Sequence, residues 1–213
     1  MDRVGAIISD FGGVLTSPLL GSFQAFQKSS GIPLEELGKA MAALTERGGI
    51  NPVFELEVGR VSEAEFLSSI SCQLSDQLAR PVSLDGFGER YFAALEPNEP
   101  MIDYMRGLRR RGYRLAICTN NVREWERLWR AMLPVDEIFD VVVDSAFVGT
   151  RKPESRIYEL TLERLGVGAP EALLIDDIEI NCRAARDLGI RAVWFHSAEQ
   201  AIAETEAALD GAR

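Results

Sequence analysis

From Glu99 to the carboxyl end the chain alternates helix-like and strand-like patterns, and this alternation restricts the fold more than any other feature. The order reads as helix to Arg111, strand Arg114–Cys118, helix Arg123–Met132, strand Val141–Val143, helix Pro153–Leu165, strand Ala172–Ile175, helix Ile180–Leu188, strand Ala192–Phe195 and a terminal helix from Ala198. Parallel strands need crossover connections, and helices supply them with a right-handed turn. The expectation is an α/β protein with a doubly wound parallel sheet and helices on both faces. One more strand, about Val4 to Ser9, stands near the amino end, far in sequence from the others.

Between that strand and the alternating region, Ser17 to Glu96 contains no convincing strand. It reads as four helices, Leu19–Ser29, Leu34–Arg47, Ser62–Leu74 and Leu84–Leu95, separated by Gly31-Ile32-Pro33, Gly48-Gly49-Ile50-Asn51-Pro52 and Arg80-Pro81. Ser62 with Glu65 forms a capping-box pattern. Ser17-Pro18 and Glu96-Pro97-Asn98-Glu99-Pro100 mark the edges of this stretch as candidate hinges. With 213 residues, 46% of them apolar, the chain suits one domain with a large insertion or two small domains. Its formal charge of −10 repels a phosphate backbone, so no nucleic-acid partner is expected. No apolar run approaches a membrane span, and the amino end lacks a secretory pattern, so a cytoplasmic protein with no membrane partner is expected. Cys72, Cys118 and Cys182 are an odd set without paired spacing and read as small buried hydrophobes.

The chemistry lies where strands end. Ile7-Ile8-Ser9-Asp10-Phe11-Gly12-Gly13-Val14-Leu15-Thr16 is an apolar run that stops at a carboxylate and a glycine turn, which puts Asp10 at the carboxyl end of a buried strand. Cys118-Thr119-Asn120-Asn121 and Ile175-Asp176-Asp177 repeat the same grammar. A carboxylate in Asp10's position can take a phosphoryl group and divide one hard displacement into two easier ones. Thr119 and Asn120 offer a hydroxyl, an amide and backbone N–H groups for phosphoryl oxygens. Lys152, just before Pro153, adds a fixed positive charge near an expected helix amino terminus. Asp176 and Asp177 are hard oxygen donors of the kind magnesium takes.

Taken in order, Asp10-Phe11-Gly12-Gly13-Val14, Thr119-Asn120, Lys152-Pro153 and Asp176-Asp177 with Asn181 resemble the four motifs of the haloacid dehalogenase-like (HAD) superfamily. Arg151–Tyr158 and Asp176–Asn181 look most like the phosphatase branch that includes the amino-terminal domain of soluble epoxide hydrolases. The resemblance implies a Rossmann-like core from 1–16 and 97–213, with 17–96 as an all-helical cap that follows the first strand, closes the crevice and selects the substrate. It implies a small phosphorylated metabolite as substrate, an aspartyl-phosphate on Asp10, and Mg2+ as cofactor. Asp10, the Gly12 carbonyl and Asp177 would be metal ligands, Asp176 would support the metal from its outer shell, and Asn181 would brace the loop. Thr119, Asn120 and Lys152 would hold the phosphoryl group.

The chain departs from that pattern at Gly12, where phosphatases of this family usually carry a second Asp as general acid and base. The carbonyl survives, but a lost proton relay costs about 100-fold to 10,000-fold. The expectation is therefore a preference for leaving groups that need little protonation, such as sugar 1-phosphates, acyl phosphates or aryl phosphates. Two alternatives stand beside it. One is a 2-haloacid dehalogenase, which needs no metal; the retained Asp176 and Asp177 favour phosphate. The other is a catalytically silent phosphoryl-ligand binder, which only Gly12 supports. His196, the sole histidine, reads as a strand-end surface residue. Trp125 and Trp129, four apart, read as core or a subunit contact rather than ligand stacking, and Phe23, Phe26 and Phe54 as core packing, with the lining of the cap's inner surface as the second reading.

Overall fold

Five strands, β1 (Ala6–Ser9), β2 (Arg114–Thr119), β3 (Val141–Asp144), β4 (Ala172–Asp176) and β5 (Arg191–Trp194), pair in the order β3-β2-β1-β4-β5 in the computed structural model. Every pair is parallel, as the alternating pattern predicts. Residues 3–210 are described; residues 1, 2 and 211–213 of the expected core segments lie outside them. Successive side chains of a strand face opposite ways, and two apolar layers result. Ile7, Leu115, Ile117, Leu173 and Ile175 belong to one layer, with α6 (Glu99–Arg110) and α12 (Ala198–Asp210) packed on it. Ile8, Ala116, Cys118, Ala172 and Leu174 belong to the other, under α10 (Ser155–Leu165) and α11 (Glu179–Asp187).

The central strand β1 sits between β2 and β4, with Ser9 opposite both Ile117 and Ile175. The chain leaves β1 to build β2 and β3 on one side, then crosses back to build β4 and β5 on the other. That reversal opens a crevice at the carboxyl ends of β1, β2 and β4, where open α/β sheets hold their ligands.

Residues 19–93 form five helices: α1 (Leu19–Ser30), α2 (Leu34–Gly48), α3 (Pro52–Glu57), α4 (Glu63–Leu78) and α5 (Phe87–Ala93). The two ends of this helical segment are stitched together. Thr16 bridges Pro97, Ser17 N–H donates to the Glu96 carbonyl at 2.7 Å, and Asn98 Nδ2 donates to the Val14 carbonyl at 2.8 Å. The helix α3 was absent from the sequence reading, which took Gly48–Pro52 as a separator only. Asn51 both ends the loop and starts the helix, its Oδ1 accepting Val53 N–H at 3.0 Å with Pro52 in the first turn.

Two further expectations change. The helix expected over Arg123–Met132 is a 3-10 turn, Arg123–Trp125, followed by α7 (Glu126–Arg130). The chain then turns at Leu133-Pro134 into α8 (Val135–Ile138), and α9 (Ser145–Val148) follows β3 directly. The helix expected from Pro153 begins at Ser155, because Glu154, its N-cap, is still extended (φ −64°, ψ 136°). Lys152 therefore lies ahead of the helix rather than at its first turn.

The capping box of α4 is present, with Ser62 Oγ accepting Glu65 N–H at 3.3 Å and Glu65 Oε2 accepting Ser62 N–H at 2.8 Å. Ser62→Ala leaves one amide of the first turn without its acceptor. The expected cost is about 1 kcal/mol, read as a lower urea midpoint at unchanged slope.

Candidate active site

Register places Asp10 one residue past β1, level with Asp176 at the end of β4. Between them stands Lys152, whose Nζ lies 2.8 Å from Asp10 Oδ1 and 2.6 Å from Asp176 Oδ2. All three are buried, with the Lys152 side chain 1% exposed. Burial alone would lower the ammonium's pKa, but Asp10 and Asp176 reverse that and hold it well above the ordinary lysine value. Burial pushes the Asp10 carboxyl up to about 7, against the pull of Lys152 and with the push of Asp176 and Asp177. Unpaired ions do not survive in such a place, so the lysine and its two carboxylates stand or fall together.

Each member is held by a second set of contacts. Asp10 Oδ1 also accepts Phe11 N–H at 2.7 Å. Asp176 Oδ1 accepts Ile178 N–H at 2.9 Å and Asn181 Nδ2 at 3.0 Å, so the Asp176 carboxylate is fully occupied inside the protein. Asn181 in turn offers its carbonyl to the Tyr158 hydroxyl at 3.0 Å. Asn120 brackets the lysine backbone, accepting Lys152 N–H at 2.8 Å and donating to the Lys152 carbonyl at 3.0 Å. The sequence reading gave the Asn120 amide to a phosphoryl group; the structure commits that side chain to Lys152, which leaves the Asn120 backbone N–H for a ligand.

Asp177 differs from its neighbour. Asp10, Asp176 and Asp177 each offer an oxygen within 4.8 Å of the other two, yet Asp177 Oδ1 is buried with no hydrogen-bond partner among the described residues. A buried carboxylate oxygen without a donor is costly, and a hard cation is the partner that removes the cost. Burial raises the Asp177 pKa, and Asp176 adds to the rise. Gly13 lets this carboxylate approach: its φ is +79°, and a Cβ there would lie 2.3 Å from Asp177 Oδ2. The donor set, two carboxylates at hand and a third held behind them, fits magnesium.

Above this charged floor lies a cavity of about 530 Å³. Gly12, Thr119 and Asn120 belong to its base, and the helical segment supplies most of its wall, including Phe23, Met41, Phe87 and Tyr91. Trp125 completes it, its ring stacked on Tyr91 at 5.4 Å and its Nε1 donating to Glu63 Oε1 at 2.7 Å. Trp129 instead is buried against Phe11 at 5.2 Å. Sequence spacing gave both tryptophans one helical face. Both belong to the same apolar cluster, Trp129 fully buried and Trp125 partly buried at the wall of the cavity. Phe23 lines it as well, Phe26 is buried, and Phe54 lies outside under the Arg151 guanidinium at 3.9 Å. Glu57, which the sequence reading passed over, lines the cavity beside them; the Asn-Pro cap that starts α3 was the available signal. His196 is exposed and packs on Trp194, and of the three cysteines expected to be buried, Cys118 and Cys182 are buried while Cys72 is exposed.

Comparison with known proteins places this geometry. A family model described as haloacid dehalogenase-like hydrolase matches residues 4–189. The chain is 30% identical over 215 residues to mouse acyl-CoA dehydrogenase family member 10, covering 96% of this chain and 19% of that protein. It is 27% identical over 221 residues to mouse bifunctional epoxide hydrolase 2, covering 96% and 38%. The chain thus spans well under half the length of these two relatives. Phosphatase MT3486 of Mycobacterium tuberculosis is 30% identical over 197 residues, 89% of this chain and 86% of that one. Among solved structures, the HAD family enzyme bt-2542 of Bacteroides thetaiotaomicron, in complex with magnesium and inorganic phosphate, superposes with a TM-score of 0.66 at 22% identity, covering 89% of this chain and 93% of that one. No described helix is long and apolar enough to cross a membrane. With the sheet order, the acidic cluster and the matched family model agreeing, the chain belongs to the haloacid dehalogenase-like hydrolases.

Proposed function

We propose that this hydrolase is a magnesium-dependent phosphatase that acts on a small phosphorylated metabolite with an apolar organic part, through an aspartyl-phosphate on Asp10. The observation that carries the reading is the orphaned Asp177 oxygen beside a buried Asp10–Lys152–Asp176 network, which adjoins Phe11 and Gly12 in sequence and Asn120 by hydrogen bonds; these residues and Thr119 line an apolar cavity. Asp10 attacks phosphorus. Lys152, the Thr119 hydroxyl and the Asn120 backbone N–H receive the phosphoryl oxygens, whose charge shifts during transfer. Asp10, the Gly12 carbonyl and Asp177 hold the metal, with Asp176 and Asn181 behind them. Bound magnesium neutralises charge and orients the phosphoryl group. Residues 17–96 act as a cap over a core of 1–16 and 97–213, and the cap's apolar wall selects the leaving group.

A dehalogenase would direct the same Asp10 at carbon and has no use for a cation, so the orphaned carboxylate oxygen favours phosphate. A silent binder keeps the floor but forms no covalent adduct. On the nucleophile loop itself nothing can protonate a leaving oxygen, since position 12 is glycine. Substrates with acidic leaving groups are then favoured, to the extent that no other part of the chain brings a proton.

Asp10→Asn should reduce magnesium-dependent hydrolysis at least about 1,000-fold, and acid quenching during turnover should trap phosphate on Asp10 of the unchanged chain. A folded Asp10→Asn protein with undiminished turnover sinks the proposal.

Removing one of three crowded carboxylates relieves repulsion when no cation is present. Asp177→Asn should therefore melt higher than the unchanged chain in chelator, and magnesium should raise the melting temperature of the unchanged chain only. The reverse pattern in a thermal scan excludes Asp177 as a ligand.

For n-alkyl phosphates, each added methylene buried in the cavity should raise kcat/KM about 2-fold to 4-fold until the cavity is filled. A flat series, or faster turnover of hydroxylated analogues, contradicts the apolar assignment.

A further inference from the structure

An alkyl leaving group departs slowly unless a proton reaches its oxygen, and the nucleophile loop has none to give. A side chain on Gly12 would also press on Leu19: a Cβ there would sit 3.1 Å from each of its terminal carbons, so Leu19 would have to give by a few tenths of an ångström. Among the described residues that line the cavity with Gly12 and Thr119, one carries a carboxyl group, Glu57 in the last turn of α3.

Two contacts fix Glu57 over the loops of the phosphoryl site. Its carbonyl accepts Ser145 Oγ at 2.5 Å, and the same Oγ accepts Asn121 N–H at 3.0 Å, next to Thr119 and Asn120. Its carboxylate Oε2 accepts Arg151 Nε at 2.6 Å, one residue before Lys152. Among the described residues Oε1 has no hydrogen-bond partner. The helical segment thus delivers one carboxyl group, anchored by one oxygen with the other left over, to a cavity that is otherwise almost wholly apolar.

The geometry points to Glu57 as the proton donor and acceptor that the nucleophile loop lacks, an assignment that rests on the phosphatase reading above. As the bond between phosphorus and the leaving oxygen breaks, its electron pair goes to that oxygen, which takes the proton from the Glu57 carboxyl while an Asp10 oxygen bonds to phosphorus. Glu57, now a carboxylate, then takes a proton from water. The water oxygen bonds to phosphorus, the bond from phosphorus to Asp10 breaks, and both side chains return to their starting forms. The surroundings suit the role. Burial raises the Glu57 pKa above the ordinary carboxylate value against the pull of Arg151 and Lys152, and the Tyr91 hydroxyl, raised by its own burial, also senses Glu57.

Glu57→Gln keeps an oxygen for Arg151 Nε and removes the transferable proton. With magnesium, kcat/KM of the variant for n-hexyl phosphate, whose alkoxide needs a proton, is expected to fall about 100-fold or more. For 4-nitrophenyl phosphate, whose leaving group needs none, it is expected to fall less than about 3-fold. The variant should also release about one 4-nitrophenolate per chain in a burst, then turn over slowly as phosphorylated Asp10 accumulates. The burst amplitude counts folded sites, so loss of folding cannot imitate the result. Equal slowing of both substrates without a burst, or an unchanged rate on n-hexyl phosphate, overturns the assignment while leaving the phosphatase reading intact. Failure of the unchanged chain to form phosphorylated Asp10 overturns both.

Discussion

The ammonium of Lys152, shut between Asp10 and Asp176, is the constraint around which the other parts are arranged. Burying one cation and two carboxylates is expensive, and their mutual attraction offsets the cost only with good geometry and further hydrogen bonds. The structure supplies both. β1 and β4 lie side by side and bring the two carboxylates to one level, while Asn120 reaches from the end of β2 to hold the lysine backbone at both its N–H and its carbonyl. Three strands and the loop before α10 are thereby tied to one charge. Such a network is a poor way to gain stability, because apolar packing would do as well. Its persistence at a sheet's switch point is better explained by what it holds ready.

The charge count has a consequence. Three clustered carboxylates and one ammonium leave a formal charge of −2 when all are ionised. A divalent cation brings that to zero, and Asp177 Oδ1, which has no protein donor, is free to meet it. Burial raises the carboxyl pKa values of Asp10 and Asp177, and the neighbouring carboxylates add to the rise. On the proposed reading, a phosphoryl group would meet a site that is neutral in sum, with Lys152 supplying fixed positive charge.

Much of this was legible in the sequence because strand ends announce themselves. Each of Asp10, Thr119 and Asp176 closes an apolar run, and buried parallel strands place such residues along one edge. The five strands and their parallel pairing followed from the same pattern. Direction and partnership were less legible. Asn120 is an amide in either reading, and only the position of Lys152 decides that it braces a backbone. Helix spacing put Trp125 with Trp129, and both do join one apolar cluster, but only the placement of the helical segment shows that Trp125 faces the cavity. The short helix α3 was hidden by its own start signal, since Asn51-Pro52 serves equally as a loop and as a cap. Missing that helix meant missing Glu57.

The helical segment and the sheet divide the work by polarity, and a phosphate ester is divided in the same way. On the proposed reading its phosphoryl end would meet the donors and the nucleophile at the strand ends of the sheet, and its organic end would meet Phe23, Phe87, Tyr91 and Trp125 in the cavity wall. Excluding water strengthens the charges below, but it also removes the solvent that would otherwise exchange protons with the leaving oxygen. An apolar roof over a loop without an acid is self-defeating unless the roof carries one itself. Glu57 lies at that boundary, clamped through Ser145 and Arg151 to the loops beneath. Both clamps join the helical segment to the loops of the proposed phosphoryl site, so the position of Glu57 is set by the same contacts that hold the helical segment against the sheet.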